Sequence, residues 1–380
     1  MKFIEDINVD YKKVILRLDL NVTIQDGKIL DNTKIVKSLK TINYLLDHNC
    51  HILIMSHLGK IKTIEDKLKN SLEIVSLELS KLLNKNVCFI PETRNILPTI
   101  LDNHEVCLME NTRYEDLDGK KESGNDSELA KYWASLGEVF INDAFGTTHR
   151  CHASNNGISK YIESGYGYLI KEELDGLDPV VNNIKRPFTV IMGGAKVDDK
   201  IQLIKSLLKE CDNLLVGGGI ANTFLKATGY NIGTSLYSED YIDEVKDILK
   251  DYSNKIVLPI DVVINNNDEI TTIDIKDLKE GSIFDLGSKT LQVYRDILDE
   301  SETVFMNGTI GLYEDVRYRQ GTIELLNILR RCENIKIAGG GDALASINTL
   351  GYQDAFNYLS TGGGATLEYI ADKTLKCFEE

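Results

Sequence analysis

Residues 188–219 read FTVIMGGAKVDDKIQLIKSLLKECDNLLVGGG. An apolar run ends in a glycine pair, an amphipathic stretch follows, and a second apolar run ends in three glycines. Short apolar runs bounded by turn residues predict buried strands. The stretch between them, 199-DKIQLIKSLLKECD, predicts a helix. Strand, helix and strand in that order form the unit of a parallel sheet covered on both faces.

The alternation continues in both directions. Further apolar runs are 13-KVILRLDL, 51-HILIMSHLG, 106-VCLMENTRY, 138-EVFINDAFG, 255-KIVLPIDVVI, 303-TVFMNGT and 335-IKIAGGG, with helix-like segments such as 72-LEIVSLELSKLLNK between them. A chain of 380 residues is too long for one ordinary core, so two domains are expected. A helix running into a proline-ended connector, 169-LIKEELDGLDPVVNNIKRP, marks the boundary. The expected fold is α/β: two lobes, each a Rossmann-like parallel sheet with helices on both faces.

Composition narrows the function. The net charge of -16 repels nucleic acid and anionic lipid, so neither is expected as a partner. No apolar stretch approaches the ~18 residues of a membrane span, and the opening MKFIEDINVDYKK lacks a signal-peptide core. A cytoplasmic location is expected. The 7 cysteines are scattered, odd in number and without a CxxC pair, which argues for reduced thiols and against a zinc site.

In open α/β sheets ligands bind outside the carboxyl ends of the strands. Turn residues belong at strand ends in any case, but here the two halves differ. Only 6 of the 29 glycines fall in residues 1–150. The first half ends its strands in Arg, His, Asp and Asn, the second in Gly and Lys. Arg17, Asp19 and Asn21 of RLDLN alternate, so an extended strand would place them on one face. His57 of SHLG, Arg113 of ENTRY, and His149, Arg150 and His152 of THRCHAS each follow an apolar run. Any one alone is ordinarily a surface charge. Together, in an acidic chain poor in arginine, they point to an anion pocket, because the guanidinium fork matches phosphate and carboxylate.

In the second half, Gly193-Gly194-Ala195-Lys196-Val197-Asp198-Asp199-Lys200 opens a helix after a buried strand. Glycine admits close approach of backbone to phosphate, and a helix N-terminus favours negative charge. Lys196 and Lys200, four apart, are expected on one helical face; a solvated charged turn is the bland alternative. Three glycine triplets follow, at Gly217–Gly219, Gly339–Gly341 and Gly362–Gly364, where side chains are kept clear for a flat ligand. Asp342 follows one of them and suits Mg²⁺, which shares oxygen ligands with phosphates. There is no GxxxxGK[ST], since 281-GSIFDLGSKT is wrongly spaced, and no GxGxxG fingerprint, which disfavours a dehydrogenase.

RLDLNV, SHLG, ENTRY and NDAFGTTHR, then GGAKVDDK, GGGIANTFL, NGTIGLYE, GGGD and STGGGATLE, stand in the order of the phosphoglycerate kinase family, which the chain resembles from residue 13 to about 370. The resemblance implies that Arg17, Asp19, Asn21, His57, Lys60, Arg113 and Arg150 hold 3-phosphoglycerate or its 1,3-bisphosphate. It implies that Lys196 and Lys200 bind the phosphates of ATP or ADP, that Asn307 lies near them, and that Glu314 holds the ribose. Gly217, Gly218 and Gly219 help form the adenine pocket. Gly340 and Gly341 adjoin the phosphates, Asp342 positions Mg²⁺, and Gly362, Gly363 and Gly364 sit near the transferred phosphoryl. Lys34, Lys196 and Gly363 are the expected catalytic positions. The resemblance also implies a substrate lobe of residues 1–170 with the C-terminal tail 365–380 packed back on it. A hinge at 171–187 and a nucleotide lobe at 188–364 complete a monomer that closes over its small-molecule substrates.

Five positions depart from the family pattern. Lys34 and Lys60 replace arginines, with Ile61 in place of a proline; NGPxG becomes Asn307-Gly308-Thr309-Ile310-Gly311; and Ala343 replaces a threonine. Two readings follow: drift at tolerant sites in an active kinase, or a catalytically weakened or non-catalytic binding or regulatory protein on the same fold.

Overall fold

The computed structural model describes residues 1–198 and 200–378. Two compact units emerge, one of Met1–Leu174 joined by the chain from Leu375, the other of Asp175–Thr374.

In the first unit the strands are β1 (Lys13–Leu18), β2 (Ile24–Gln25), β3 (Lys28–Ile29), β4 (His51–Met55), β5 (Cys88–Ile90), β6 (Val106–Met109), β7 (Val139–Asp143) and β8 (Glu163–Tyr166). Six of them form a sheet in the order β5-β6-β4-β1-β7-β8, while β2 and β3 make a small hairpin. All the pairings within the six-stranded sheet are parallel. The period of two is visible in the packing: Val14, Leu16 and Leu18 enter one apolar cluster and Ile15 the other. Both faces are therefore covered, by α1 (Thr33–Asp47), α3 (Glu73–Leu83), α4 (Ile100–Asn103) and α5 (Ser127–Ala134) among others, while α2 (Ile64–Lys69) buries no residue. On α1 the buried positions Ile35, Ser38, Ile42 and Leu45 follow helical spacing.

α6 (Tyr168–Val181) carries the chain into the second unit, with Pro179 in its last turn. That unit contains β9 (Phe188–Met192), β10 (Asn213–Val216), β11 (Ile256–Val257), β12 (Asp261–Asn266), β13 (Glu269–Asp274), β14 (Ser282–Leu286), β15 (Thr303–Asn307), β16 (Ile335–Gly339) and β17 (Tyr358–Ser360). Its main sheet is parallel, in the order β11-β10-β9-β15-β16-β17. The helices are α7 (Ile201–Glu210), α8 (Gly218–Ala227), α9 (Ile242–Tyr252), α10 (Ser288–Glu300), α11 (Gln320–Arg331), α12 (Gly341–Leu350) and α13 (Gly364–Asp372).

Three features differ from the sequence expectation. The run 255-KIVLPIDVVI divides around Pro259 into β11 and β12, and β12 belongs to a separate antiparallel sheet, β13-β12-β14. Asn267 and Asp268, both with positive φ, make its two-residue hairpin turn. Next, α13 packs on α7, so the chain rejoins the first unit at Leu375 rather than 365. There Cys377 donates its N–H to Thr148 O at 3.0 Å, and Tyr166 donates its hydroxyl to Cys377 O at 2.6 Å. Finally, β1 ends at Leu18, so Asp19 and Asn21 belong to the loop beyond the strand.

The lone tryptophan, Trp133 of α5, is fully buried and donates Nε1–H to Thr93 O at 2.9 Å. Trp133→Ala should cost about 3–5 kcal/mol in urea unfolding followed by circular dichroism. A loss below about 1 kcal/mol would mean that this face of the first sheet is not a packed core.

Candidate functional site

In the first unit the loops at the carboxyl ends of β1, β4, β6 and β7 meet. Arg17, last but one in β1, pairs in register with Met55 of β4 and Asn142 of β7. It lies on the face of Ile15, and its side chain is fully buried. Nε donates to Ser154 Oγ at 2.9 Å, Nη1 donates to Leu18 O, and Nη2 lies 3.2 Å from His57 Nδ1. A guanidinium can only donate, so His57 Nδ1 accepts and the imidazole is neutral with its hydrogen on Nε2. Burial, then Arg17, holds the His57 pKa well below its usual value, which agrees with that assignment.

Asp19 accepts from Lys34 Nζ at 2.8 Å, which brings α1 to the loop after β1. Asn21 Oδ1 accepts from Gly59 N at 2.9 Å, and Arg113 Nη1 donates to Gly59 O at 2.7 Å. The SHLG loop is thus held from both sides. Arg113 Nε is buried with no partner in the protein, a donor left over for a ligand. Asn111 and Glu110 of ENTRY are buried scaffold: Asn111 Nδ2 donates to Leu58 O and Asn70 O, and Glu110 accepts from Leu72 N.

Arg113 and Arg150 line a cavity of about 420 Å³ with Lys60, Lys62 and Lys120. Asp116 is its one acidic lining residue. His152 reports the convergence of the arginines. Its pKa is pushed down to about 3, first by burial and then by Arg17, Arg113 and Arg150. His149 is pushed down to about 4, by burial and then Arg150. Arg17 and His57 stand behind this basic surface, Arg113, Arg150 and Lys60 at it.

In the second unit the strand order reverses between β9 and β15, the place where α/β sheets bind ligands. Beside it opens a cavity of about 530 Å³. Gly194, Ala195, Gly218, Gly219, Thr309, Ile310 and Gly311 form its backbone wall; Leu236, Pro259, Phe284 and Leu312 form an apolar wall; Glu314 and Asp342 are acidic lining residues. A cavity that combines an apolar wall, a backbone wall and polar side chains suits a purine nucleoside. Glycine is needed where these loops cross. A Cβ on Gly219 would lie 1.9 Å from Ala195 O, and one on Gly308, at φ +77°, 2.2 Å from Gly193 O.

Lys196 and Lys200 are not on one helical face. Lys196 is exposed in the loop, and Lys200 is the residue before α7, with Nζ donating to Gly193 O at 2.7 Å. Lys200 N donates to Val197 O at 2.8 Å, ahead of the helix. Asn307 donates to Gly339 O at 2.7 Å, and its Oδ1 is buried without a partner. Gly217, Gly340, Gly341, Gly362, Gly363 and Gly364 lie outside the cavity lining, as do Lys196, Lys200 and Asn307. Gly217, Gly340 and Gly363 are the residues before α8, α12 and α13.

For Mg²⁺ the donor set is lean. Among the described residues no three His, Cys, Asp or Glu side chains gather into a metal cluster. Asp342 is an exposed carboxylate in the first turn of α12, facing the cavity. One carboxylate fits an ion that keeps waters and shares phosphate oxygens, and does not fit a resident structural metal.

Sequence reasoning missed Ser154 and Glu122, which hold Arg17 and His152 from behind, and Phe284 and Leu312 of the apolar wall. Ser154 and Leu312 lie within THRCHAS and NGTIGLYE but are neither charged nor glycine, and Glu122 and Phe284 belong to no motif of the family pattern. The strand that carries Phe284 is short and half-buried, so it gave no apolar run.

The phosphoglycerate kinase family model matches residues 4–373. The chain is 48% identical to the phosphoglycerate kinase of Fusobacterium nucleatum, with 98% of this chain and 97% of that one covered. It is 46% identical to that of Staphylococcus aureus at the same coverage. Among solved structures, the phosphoglycerate kinase of Coxiella burnetii superposes with a TM-score of 0.88 at 34% identity, and that of Pyrococcus horikoshii with 0.85 at 27%. Each comparison covers 99% of this chain and 97% of the other. With the family model, the relatives and the solved structures in agreement over nearly the whole length, the chain belongs to the phosphoglycerate kinase family.

Proposed function

We propose that the protein catalyses 1,3-bisphosphoglycerate + MgADP ⇌ 3-phosphoglycerate + MgATP. The observation that carries this reading is the pairing of one arginine-rich cavity with one glycine-walled cavity, each at the carboxyl edge of its own sheet. An acyl phosphate is already activated, so the protein's work is to bind, orient and neutralise charge, without a covalent enzyme intermediate.

In this reading Arg113, Arg150 and Lys60 bind the anionic groups of phosphoglycerate, and the neutral His57 offers Nε2–H. Asp19 and Asn21 order the loops that carry them. The apolar wall takes adenine, Glu314 takes the ribose hydroxyls, and Lys196 and Lys200 face the phosphates. Asp342 holds Mg²⁺, which neutralises the phosphate oxygens when bound. Asn307 Oδ1, a buried acceptor, is left for a donor that arrives with ligand. A cytoplasmic monomer accompanies the reading; no helix among the described residues is long and apolar enough to cross a membrane.

The family match across residues 4–373 favours the active kinase over a non-catalytic relative. ATP formation from 1,3-bisphosphoglycerate and ADP in a coupled assay tests this directly. Sustained turnover is expected; nucleotide binding without turnover would support the regulatory alternative.

Lys200→Ala removes the ammonium that ties to Gly193 O, at the head of the glycine wall. In calorimetry ADP affinity should fall about tenfold or more while 3-phosphoglycerate affinity stays within about twofold, the difference expected of one charge-assisted contact. Equal losses for both ligands would contradict separate sites.

Lys34→Arg should raise kcat with little change in either KM. The ammonium of Lys34 is about one-third exposed and paired to Asp19. A guanidinium could keep that partner and still present a fork to a moving phosphoryl, whose charge spreads over its oxygens in the transition state. A contact made only there alters kcat. A tenfold gain corresponds to about 1.4 kcal/mol. An unchanged or lower kcat would mark lysine as an adapted choice.

A further inference from the structure

We propose that Glu122, acting through Ser154 and Arg17, is a positioning residue that aims His57 at the substrate of the first unit. The proposal rests on the reading of that unit as the phosphoglycerate site.

The starting point is a cation in a core position. Arg17 shares its face of β1 with Ile15 and has no exposed surface. A buried guanidinium without an anionic counterpart is strongly destabilising. The carboxylate nearest in sequence, Asp19, is engaged with Lys34. The other carboxylate acting on Arg17 is Glu122, which also has no exposed surface.

The two are linked through one hydroxyl. Ser154 donates Oγ–H to Glu122 Oε1 and its backbone N–H to Glu122 Oε2, the latter at 2.9 Å. A serine hydroxyl has a single hydrogen. Once it is given to Glu122, the oxygen's lone pairs face Arg17 Nε–H, 2.9 Å away. The direction of the chain is therefore fixed: Arg17 donates to Ser154, and Ser154 donates to Glu122. At the other end of the guanidinium, Nη2 donates to His57 Nδ1 and places the imidazole hydrogen on Nε2. Four buried groups thus form one line, in which only His57 adjoins the loop held by Asn21 and Arg113.

The backbone reinforces the line. Glu122 O accepts from Ala153 N at 2.9 Å and from Asn125 N at 3.1 Å, so main chain and side chain of Glu122 both fix the segment that presents Ser154. The hydroxyl also solves an electrostatic conflict. A carboxylate exposed in an anion pocket would repel the substrate; one hydroxyl removed and buried, Glu122 balances Arg17 without facing the ligand. Burial raises the Glu122 carboxyl, and Arg17 and then Ser154 pull it back toward the ionised form.

The experiment is steady-state kinetics on full-length Glu122→Gln, Ser154→Ala and the double variant, with thermal melts of each. An amide cannot accept from both Ser154 donors, and alanine breaks the line outright. Each single variant should raise KM for 3-phosphoglycerate about tenfold, leave KM for ATP within about twofold, and change kcat less than KM. The double variant should be no worse than the worse single one, because both act on one chain of contacts. Additive effects, equal shifts in both KM values, or an unchanged 3-phosphoglycerate KM in Ser154→Ala would overturn the proposal. If Glu122→Gln does not fold, Ser154→Ala decides alone. Arg113→Ala serves as the control on the site: an unchanged 3-phosphoglycerate KM there would show that the pocket assignment, rather than the positioning line, is wrong.

Discussion

Every strand of a parallel sheet ends on the same edge, and the last carbonyls and N–H groups of that edge have no further strand to pair with. The loops that follow must complete them, and the two units do so with different materials. In the first, side chains close the edge: Ser56 Oγ accepts from Leu20 N, Asn142 Oδ1 from Ala144 N, and Glu110 Oε1 from Asn111 N. In the second, backbone does so: Gly193 N donates to Asn307 O, Gly194 N to Thr309 O, and Gly218 N to Ile310 O. Polar side chains make a charged, shaped surface suited to a small anion. Bare backbone makes a smooth wall suited to a flat base and a row of phosphates.

That division explains which parts of the site were legible in the sequence. Arg113 and Arg150 announce themselves because arginine is scarce in an acidic chain and each follows an apolar run, the family resemblance adds Lys60, and all three line one cavity. The glycines at 194, 218 and 219 announce themselves by their spacing, and they do form a wall. Arg17 was read as one of three alternating residues on a strand face. It does lie on that face, buried beside Ile15, but β1 stops one residue later and Asp19 turns toward Lys34. The four-residue spacing of Lys196 and Lys200 predicts one helical face, but the helix begins only at Ile201.

Other features left little trace in a local pattern. Glu122 and Ser154 are 32 residues apart and meet only through the fold. The antiparallel sheet was hidden because β12 continues an apolar run across Pro259, and because β13 is exposed along most of its length. Phe284 contributes an apolar wall from a strand of mixed polarity. Tertiary contacts, rather than periodicity, decide such positions.

The departures from the family pattern also acquire a setting. Thr309 gives its carbonyl to Gly194 N, a bond that depends on the backbone and not on the side chain. Ala343 is buried on α12. Thr309 sits in the cavity wall, and Ala343 is the buried neighbour of the lining residue Asp342. Lys34 differs, being partly exposed and paired with Asp19 of the loop after β1. The central claim is that each ligand is held at the carboxyl edge of its own sheet. Amide NMR of the full chain, titrated with 3-phosphoglycerate and with ADP in turn, tests it most directly. 3-Phosphoglycerate should shift residues around Asn21, His57, Arg113 and Arg150, and ADP those around Gly194, Gly219, Ile310 and Asp342. Shifts from 3-phosphoglycerate concentrated on the glycine wall, or on helix faces remote from both edges, would contradict it.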